Sequence, residues 1–183
     1  MKELRFHGRR LPRYDHTAPF VGAARLLARA ALREGKQVQL RPPWLFLRGY
    51  VPEAAHLRVA TELIESYSQE YVLDLVAVTD ASILTAIDVT AGLKETGVVL
   101  VNGASPVSLK GRARTAIADL DAIAERCATD LALPMAAAVA ALSRIVTQKA
   151  LAAVVQAETS GRARQQALRA LEAAAQVVAE SRR

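Results

Sequence analysis

Residues 71–78 read YVLDLVAV and residues 97–102 read GVVLVN. Both runs are almost continuously apolar and rich in β-branched residues. Each is about the length of one strand, which marks strands buried on both faces, as in a parallel sheet. Polar residues punctuate their ends, Thr79-Asp80 after the first and Asn102-Gly103 after the second. Upstream, Lys2-Glu3-Leu4-Arg5-Phe6 alternates polar and apolar and predicts a first strand. Pro19 opens a predicted helix over Ala18–Glu34, with Phe20, Ala23, Ala24, Leu27, Ala30 and Ala31 on its apolar face and Gly35 as its stop. Val38 and Leu40 begin a second strand, and Ala55, Leu57 and Val59 a further one. A short helix is predicted over Thr61–Tyr67 and a helical turn over Ser82–Ala86. Asp88 reads as the N-cap of another helix ending before Gly97. Arg114–Ala118 predicts a strand, and Asp119–Ala128, Pro134–Val146, Gln148–Glu158 and Gly161–Glu180 predict helices. Strands alternating with helices give an α/β fold with a mainly parallel, Rossmann-like sheet flanked by helices, and a helical C-terminus. Neither an internal repeat nor a linker interrupts the pattern, so residues 1–183 are read as a single domain.

The composition agrees. The 183 residues are 52% hydrophobic and 4% aromatic, enough for a real core that is aliphatic in character. About one residue in five is alanine, which favours closely packed helices. The single cysteine, Cys127, excludes a disulfide framework within the chain and the thiolate sets of zinc and iron–sulfur centres. The longest apolar run, Leu131–Leu142, falls short of the roughly 20 residues that span a bilayer. MKELRFHGRR is followed by no apolar stretch of a secretory leader. A cytoplasmic setting without membrane contact is expected. The net charge of +6 is uneven: residues 1–60 hold 12 Lys and Arg against 4 Asp and Glu, and residues 61–183 hold 12 against 14. A basic N-terminal third suits an anionic ligand, nucleic acid or an acidic partner.

The first strand, loop and helix occupy the place where dinucleotide-binding folds put their phosphate loop. Gly8 is followed by Arg9, Arg10, Leu11 and Pro12, and neither GxGxxG nor GxxxxGK[ST] occurs. The histidines, His7, His16 and His56, form no metal-ligating spacing. His7 reads as a loop histidine with one backbone hydrogen bond, Cys127 as a small core residue, and Asp74, inside an apolar strand, as a locally capped carboxylate. Arg25, Arg29 and Arg33 form a stripe on one helix face. The stripe and the aromatic loop Trp44–Tyr50 are candidate partner surfaces. Arg5, Arg9, Arg10 and Arg13, with Tyr14 nearby, form a second basic group able to hold phosphate or stack a base. No recognised nucleic-acid-binding module is present.

Three stretches, MKELRFHGR, ARLLARAALREGKQVQ and AIDVTAGLKETGVVLVN, resemble the gamma subunit of pyruvate:ferredoxin oxidoreductase and related 2-oxoacid:acceptor oxidoreductases. The similarity covers most of residues 1–155 and is strongest at 1–9, 24–39 and 86–102. It implies an α/β subunit without a complete active site or cofactor of its own. Its partners would be alpha and beta subunits holding thiamine diphosphate with Mg, and a ferredoxin-like delta subunit carrying iron–sulfur clusters. The implied activity of the complex is oxidative decarboxylation of a 2-oxoacid with coenzyme A, giving acyl-CoA and reduced acceptor. The glycine-rich stretch that follows Gly8-Arg9 in that family is replaced here by Arg10–Pro19, and in RPPWLFLRGY only Arg48-Gly49 matches the family's second loop. The resemblance therefore makes Gly8, Arg9, Arg48 and Gly49 the candidates for facing coenzyme A and the 2-oxoacid at a shared site, or a neighbouring subunit. Two readings of other classes stand beside it. One is a stand-alone α/β protein binding a small anionic metabolite through Arg9, Arg10 and Arg13. The other is a basic nucleic-acid-binding module.

Overall fold

The computed structural model describes residues 1–9, 18–43, 52–65, 68, 71–109 and 113–180. Six strands, β1 (Lys2–Arg9), β2 (Gln37–Arg41), β3 (Pro52–Ala60), β4 (Leu73–Val78), β5 (Leu93–Asn102) and β6 (Arg114–Ala118), form one sheet in the order β2-β3-β1-β4-β5-β6. β1, β4, β5 and β6 run parallel as successive neighbours, while β3 is antiparallel to both β1 and β2. The helices are α1 (Pro19–Arg33), α2 (Leu120–Cys127), α3 (Ala132–Ser143), α4 (Gln148–Glu158) and α5 (Gly161–Glu180), with a 3-10 turn over Ala81–Thr85. The α/β fold with its mainly parallel sheet and helical C-terminus is thus as read from the sequence.

All five helices share one apolar core with Leu4, Phe6, Leu57, Leu75, Ala77 and Leu100 of the sheet. α3 is its centre. Ten of its twelve residues are buried, as a helix that is apolar all round must be, and it touches α1, α5, β4 and β5. Its six alanines let the neighbouring helices approach closely. α1 carries an apolar face and ends where Gly35 takes a positive φ of 72°, the left-handed cap that glycine adopts without a Cβ penalty. Just before it, Glu34 ties α1 to α4. Its Oε1 accepts from the Thr147 amide at 2.8 Å and the Thr147 hydroxyl at 2.6 Å, and its Oε2 meets Lys36 Nζ at 2.7 Å.

The opposite face of the sheet is divided. Over β4 and β5, Val76, Val78, Val99 and Val101 pack beneath Ile83 and Val89. Over β1 and β3 the outward side chains are charged. Arg58, 1% exposed, gives Nε to Glu3 Oε1 at 2.7 Å and an end nitrogen to Gln39 Oε1 at 2.9 Å. Its guanidinium lies 4.4 Å from the Tyr71 ring centre, and Tyr71 stacks on His56 at 4.0 Å. Asp74 accepts from the Glu3 amide at 2.9 Å and from Lys94 at 2.7 Å, so it is capped locally, as expected.

Two predicted helices do not form. Residues 88–92 make a turn that leads directly into β5, which begins at Leu93. The Asp88 carboxylate accepts from both the amide and the hydroxyl of Thr90, at 2.9 and 2.6 Å. That is a two-residue Asx turn rather than a helix cap. Gly92 then takes φ +79°, where a Cβ would come within 2.8 Å of the Tyr71 carbonyl oxygen. Residues 61–65, the described part of the predicted Thr61–Tyr67 helix, are bend and coil.

Candidate functional site

In parallel sheets ligands gather at the carboxyl ends of the strands, where the chain order reverses direction. Here that switch point lies between β1, whose crossover runs to β2, and β4, whose crossover runs to β5. A cleft of about 520 Å³ opens there. Arg9, Thr79 with Asp80, and Asn102 enter it from the ends of β1, β4 and β5, and Asp121 and Leu131 from the starts of α2 and α3.

Its floor is held by hydrogen bonds between strand ends. The Thr79 amide and hydroxyl both donate to the His7 carbonyl, at 2.9 and 3.0 Å. Gly8 lies directly behind. A Cβ there would sit 2.5 Å from both Phe20 Cδ1 and Thr79 Oγ1, so glycine is required for the first turn of α1 to approach β1 and β4. Asn102, 4% exposed, uses its whole amide. Nδ2 donates to the Thr79 carbonyl at 3.0 Å and to Asp121 Oδ2 at 2.8 Å, while Oδ1 accepts from the Leu120 amide at 2.9 Å. One side chain thereby joins β4, β5 and the first turn of α2.

The charge of the cleft is mainly acidic. Among the described lining residues, Asp80, Asp121, Glu125 and Asp130 surround one cation, Arg9. Arg9 Nε lies 3.2 Å from Asp80 Oδ2, a charge contact whose alignment falls short of a hydrogen bond, and the other Asp80 oxygen caps Ser82 N at 2.9 Å. Among the described residues no group of three or more His, Cys, Asp or Glu is placed to hold a metal ion. Among the described residues, no lining side chain is a nucleophile beside a basic partner.

The structure therefore brings Gly8 and Arg9 together at the switch point, Arg9 in the lining and Gly8 behind it. Arg48 and Gly49 lie outside the described residues, as do Trp44–Tyr50, Arg10, Arg13, Tyr14 and His16. The flanks of that segment are placed. Pro52 pairs with Arg9 across β3 and β1, and Arg41 closes β2 at the level of Arg5 and His56. In the stripe on α1, Arg29 is used internally, in an ion pair with Glu158 at 2.6 Å. Cys127 is half-buried and packs against the main core. Sequence reading missed Asn102 and Asp121 as parts of the site. The available signal was a polar residue ending an apolar strand, a position that points out of the sheet's carboxyl edge.

His7 is not a loop residue. It lies in β1, 7% exposed, with neither ring nitrogen in a hydrogen bond of good geometry. Burial first, then the charge of Arg5, push its pKa down to about 4, against a small opposing effect from the Glu53 backbone. Burial likewise holds His56 at about 4, helped by Arg5 and His7. Arg5 Nε donates to His56 Nε2 at 2.9 Å, which requires that nitrogen to carry no proton. Both rings are neutral at pH 7, and neither lines the cleft.

Residues 20–177 match the model of the pyruvate ferredoxin/flavodoxin oxidoreductase family. The chain belongs to that family. Its relatives include the pyruvate/ketoisovalerate oxidoreductases common subunit gamma of Pyrococcus furiosus, 44% identical over 102 residues, which are 56% of this chain and 52% of that protein. The pyruvate synthase subunit PorC of Methanosarcina barkeri is 36% identical over 67% of this chain and 64% of its own length. The first of these matches spans about half the relative's length. Among solved structures, pyruvate oxidoreductase subunit PORC of Thermotoga maritima superposes with a TM-score of 0.78 at 25% identity, over 96% of this chain and 95% of that one. The gamma subunit of a keto/oxoacid ferredoxin oxidoreductase from Geobacter sulfurreducens has the same fold, with a TM-score of 0.79 at 16% identity. No helix among the described residues is long and apolar enough to cross a membrane.

Proposed function

We propose that this family member acts as the gamma-type subunit of a multisubunit, thiamine-dependent 2-oxoacid:acceptor oxidoreductase. The complex converts a 2-oxoacid and coenzyme A to acyl-CoA and carbon dioxide, and passes the electrons to ferredoxin or a similar acceptor. The observation that carries the reading is the near end-to-end superposition on a PORC subunit, on a chain whose cleft offers structural hydrogen bonds and no reacting pair. The family resemblance assigns thiamine diphosphate, Mg and the iron–sulfur clusters to alpha, beta and delta partners, and for the clusters the single cysteine supports this, since one thiolate cannot ligate a cluster. This chain's own part is to shape one wall of the shared site. Arg9, held by Asp80, belongs to the edge turned toward the partners, and the family resemblance assigns Arg48 and Gly49 a part in the same contact.

The test is co-expression of the tagged chain with the products of its neighbouring genes. The expected result is a co-purifying assembly with the visible absorption of iron–sulfur clusters, which reduces a viologen dye in the presence of a 2-oxoacid and coenzyme A. A chain that purifies alone under those conditions, or an assembly with no 2-oxoacid-dependent reduction, overturns the proposal.

A further inference from the structure

A second concave site lies away from the carboxyl-edge cleft, between the last turn of α2 and the outer face of α5. It measures about 430 Å³ and is lined by Arg126, Cys127, Arg162, Gln165, Gln166, Arg169 and Ala173. On α5 the polar lining residues recur at 162, 165–166 and 169, successive turns of one helix face. Arg126 meets them from α2, whose carboxyl end is closed by Ala128 in the left-handed conformation at φ 51°.

Two features set this pocket apart. No carboxylate among the described residues lines it. Its three arginines also make no hydrogen bond or ion pair with any described residue. Of the other described arginines, Arg5 engages His56, Arg9 Asp80, Arg29 Glu158, Arg58 Glu3 and Arg164 the Thr159 carbonyl. Arg33, Arg114 and Arg144, which also lack a side-chain partner among the described residues, lie on α1, on β6 and at the end of α3, and share no pocket with one another there. Three guanidinium groups gathered without a counter-charge repel one another, and each has donors arranged to meet a carboxylate through two parallel bonds. Bringing several carboxylates to the pocket relieves that repulsion and satisfies the donors together.

We propose that the α2–α5 pocket docks an acidic peptide segment of another protein, one presenting two or three clustered Asp or Glu side chains. The glutamine amides add neutral donors between the charges, and Ala173 leaves room for the segment's backbone. The arginines are long and exposed, which suits a segment laid across the surface. A small metabolite would instead call for a dry, pre-formed pocket. The inference rests on the pocket alone and not on the proposed enzymatic role.

Cys127 supplies a local reporter, since it is the chain's single cysteine and lines the pocket. The full chain is alkylated with iodoacetamide at low ionic strength, alone and with an octaglutamate peptide as probe. The expected result is slowed labelling of Cys127 with octaglutamate and unchanged labelling with octalysine. The slowing is lost when salt is raised. In the triple variant Arg126→Gln, Arg162→Gln, Arg169→Gln the apparent affinity falls about tenfold, the sum of three exposed charge pairs. Circular dichroism of the variant checks that the fold is kept, and Arg33→Gln, on α1, which packs on α3, α4 and the sheet rather than on α2 or α5, leaves the protection intact. Three outcomes overturn the proposal. One is equal labelling with and without octaglutamate. A second is protection that survives in the triple variant. The third is stronger protection by inorganic pyrophosphate or a single-stranded oligonucleotide than by the peptide.

Discussion

Replacing Asn102 probes the junction on which the cleft depends. The alanine variant removes an amide that bonds the Thr79 carbonyl, the Asp121 carboxylate and the Leu120 amide. A neutral hydrogen bond contributes about 1 kcal/mol net, and one to a charged group about 1.5–3. Two neutral bonds and one charged bond therefore bring the cost to about 4 kcal/mol. Water entering from the adjoining cleft satisfies some of the freed groups, so a loss of about 2–4 kcal/mol is expected. For a chain of this size each kcal/mol lowers the melting temperature by about 2–4 °C, so the midpoint falls by roughly 5–15 °C. Asn102→Asp tests the chemistry more sharply. It keeps the shape but turns the Nδ2 donor into an acceptor facing the Thr79 carbonyl and Asp121. Two carboxylates in contact cannot both ionise cheaply. At pH 7 Asn102→Asp should therefore be less stable than Asn102→Ala, and part of its deficit should disappear on mild acidification. Thermal unfolding followed by far-UV circular dichroism measures both. An alanine variant within about 1 °C of wild type, or an aspartate variant as stable as wild type at pH 7, refutes the reasoning.

Gly8→Ala forces a methyl group against Phe20 and Thr79 and should cost about 1–3 kcal/mol by overpacking. Hydrogen exchange then shows the first turn of α1 and the β4 end loosening ahead of α4 and α5; uniform loosening, or none, counts against the close approach. Buried His7 and half-buried His56 give a pH dependence. Their folded pKa values of about 4 lie below the ordinary 6.5, so the folded chain binds fewer protons than the unfolded one across that interval. Their contribution is present in full above pH 6.5 and is lost as the pH falls toward 4. Each unit of displacement is about 1.4 kcal/mol, so about 2.5 units at His7 correspond to roughly 3 kcal/mol, and the half-buried His56 adds less because solvent screens it. Urea unfolding between pH 4 and 7 reads it. His7→Gln should flatten the slope, and an unchanged slope in that variant would contradict the placement of the ring.

Which elements could be read in advance follows from how local their determinants are. β4 and β5 announce themselves because a strand buried on both faces must be apolar along its whole length. α1, α2, α4 and α5 do so through helical spacing and local caps such as Asp119 and Thr147, whose side chains accept from Ala122 N and Ala150 N. Asp88 misled for the same reason. A carboxylate accepting from nearby amides begins helices and Asx turns alike, and the choice was made by Gly92, whose positive φ and close approach to Tyr71 turn the chain into β5. His7 misled because the polar–apolar alternation past Phe6 does not reveal that β1 continues to Arg9 between two partner strands.

The sequence by itself determined the α/β class, the aliphatic helix-packed core, the lack of cluster ligands and the family resemblance, because each resides in composition, periodicity or short motifs. The tertiary structure alone decided the strand order, with β3 returning antiparallel between β2 and β1. It also decided that Glu3 meets Arg58 and that Asn102 binds Thr79 and the start of α2. Arg9 is neutralised by Asp80, and Arg126 comes to share a pocket with two arginines of α5. These pairings join residues about 20 to 70 positions apart in the chain. A charge or an amide carries no mark of its distant partner. Sheet register and helix packing bring the two together once the apolar surfaces have been buried.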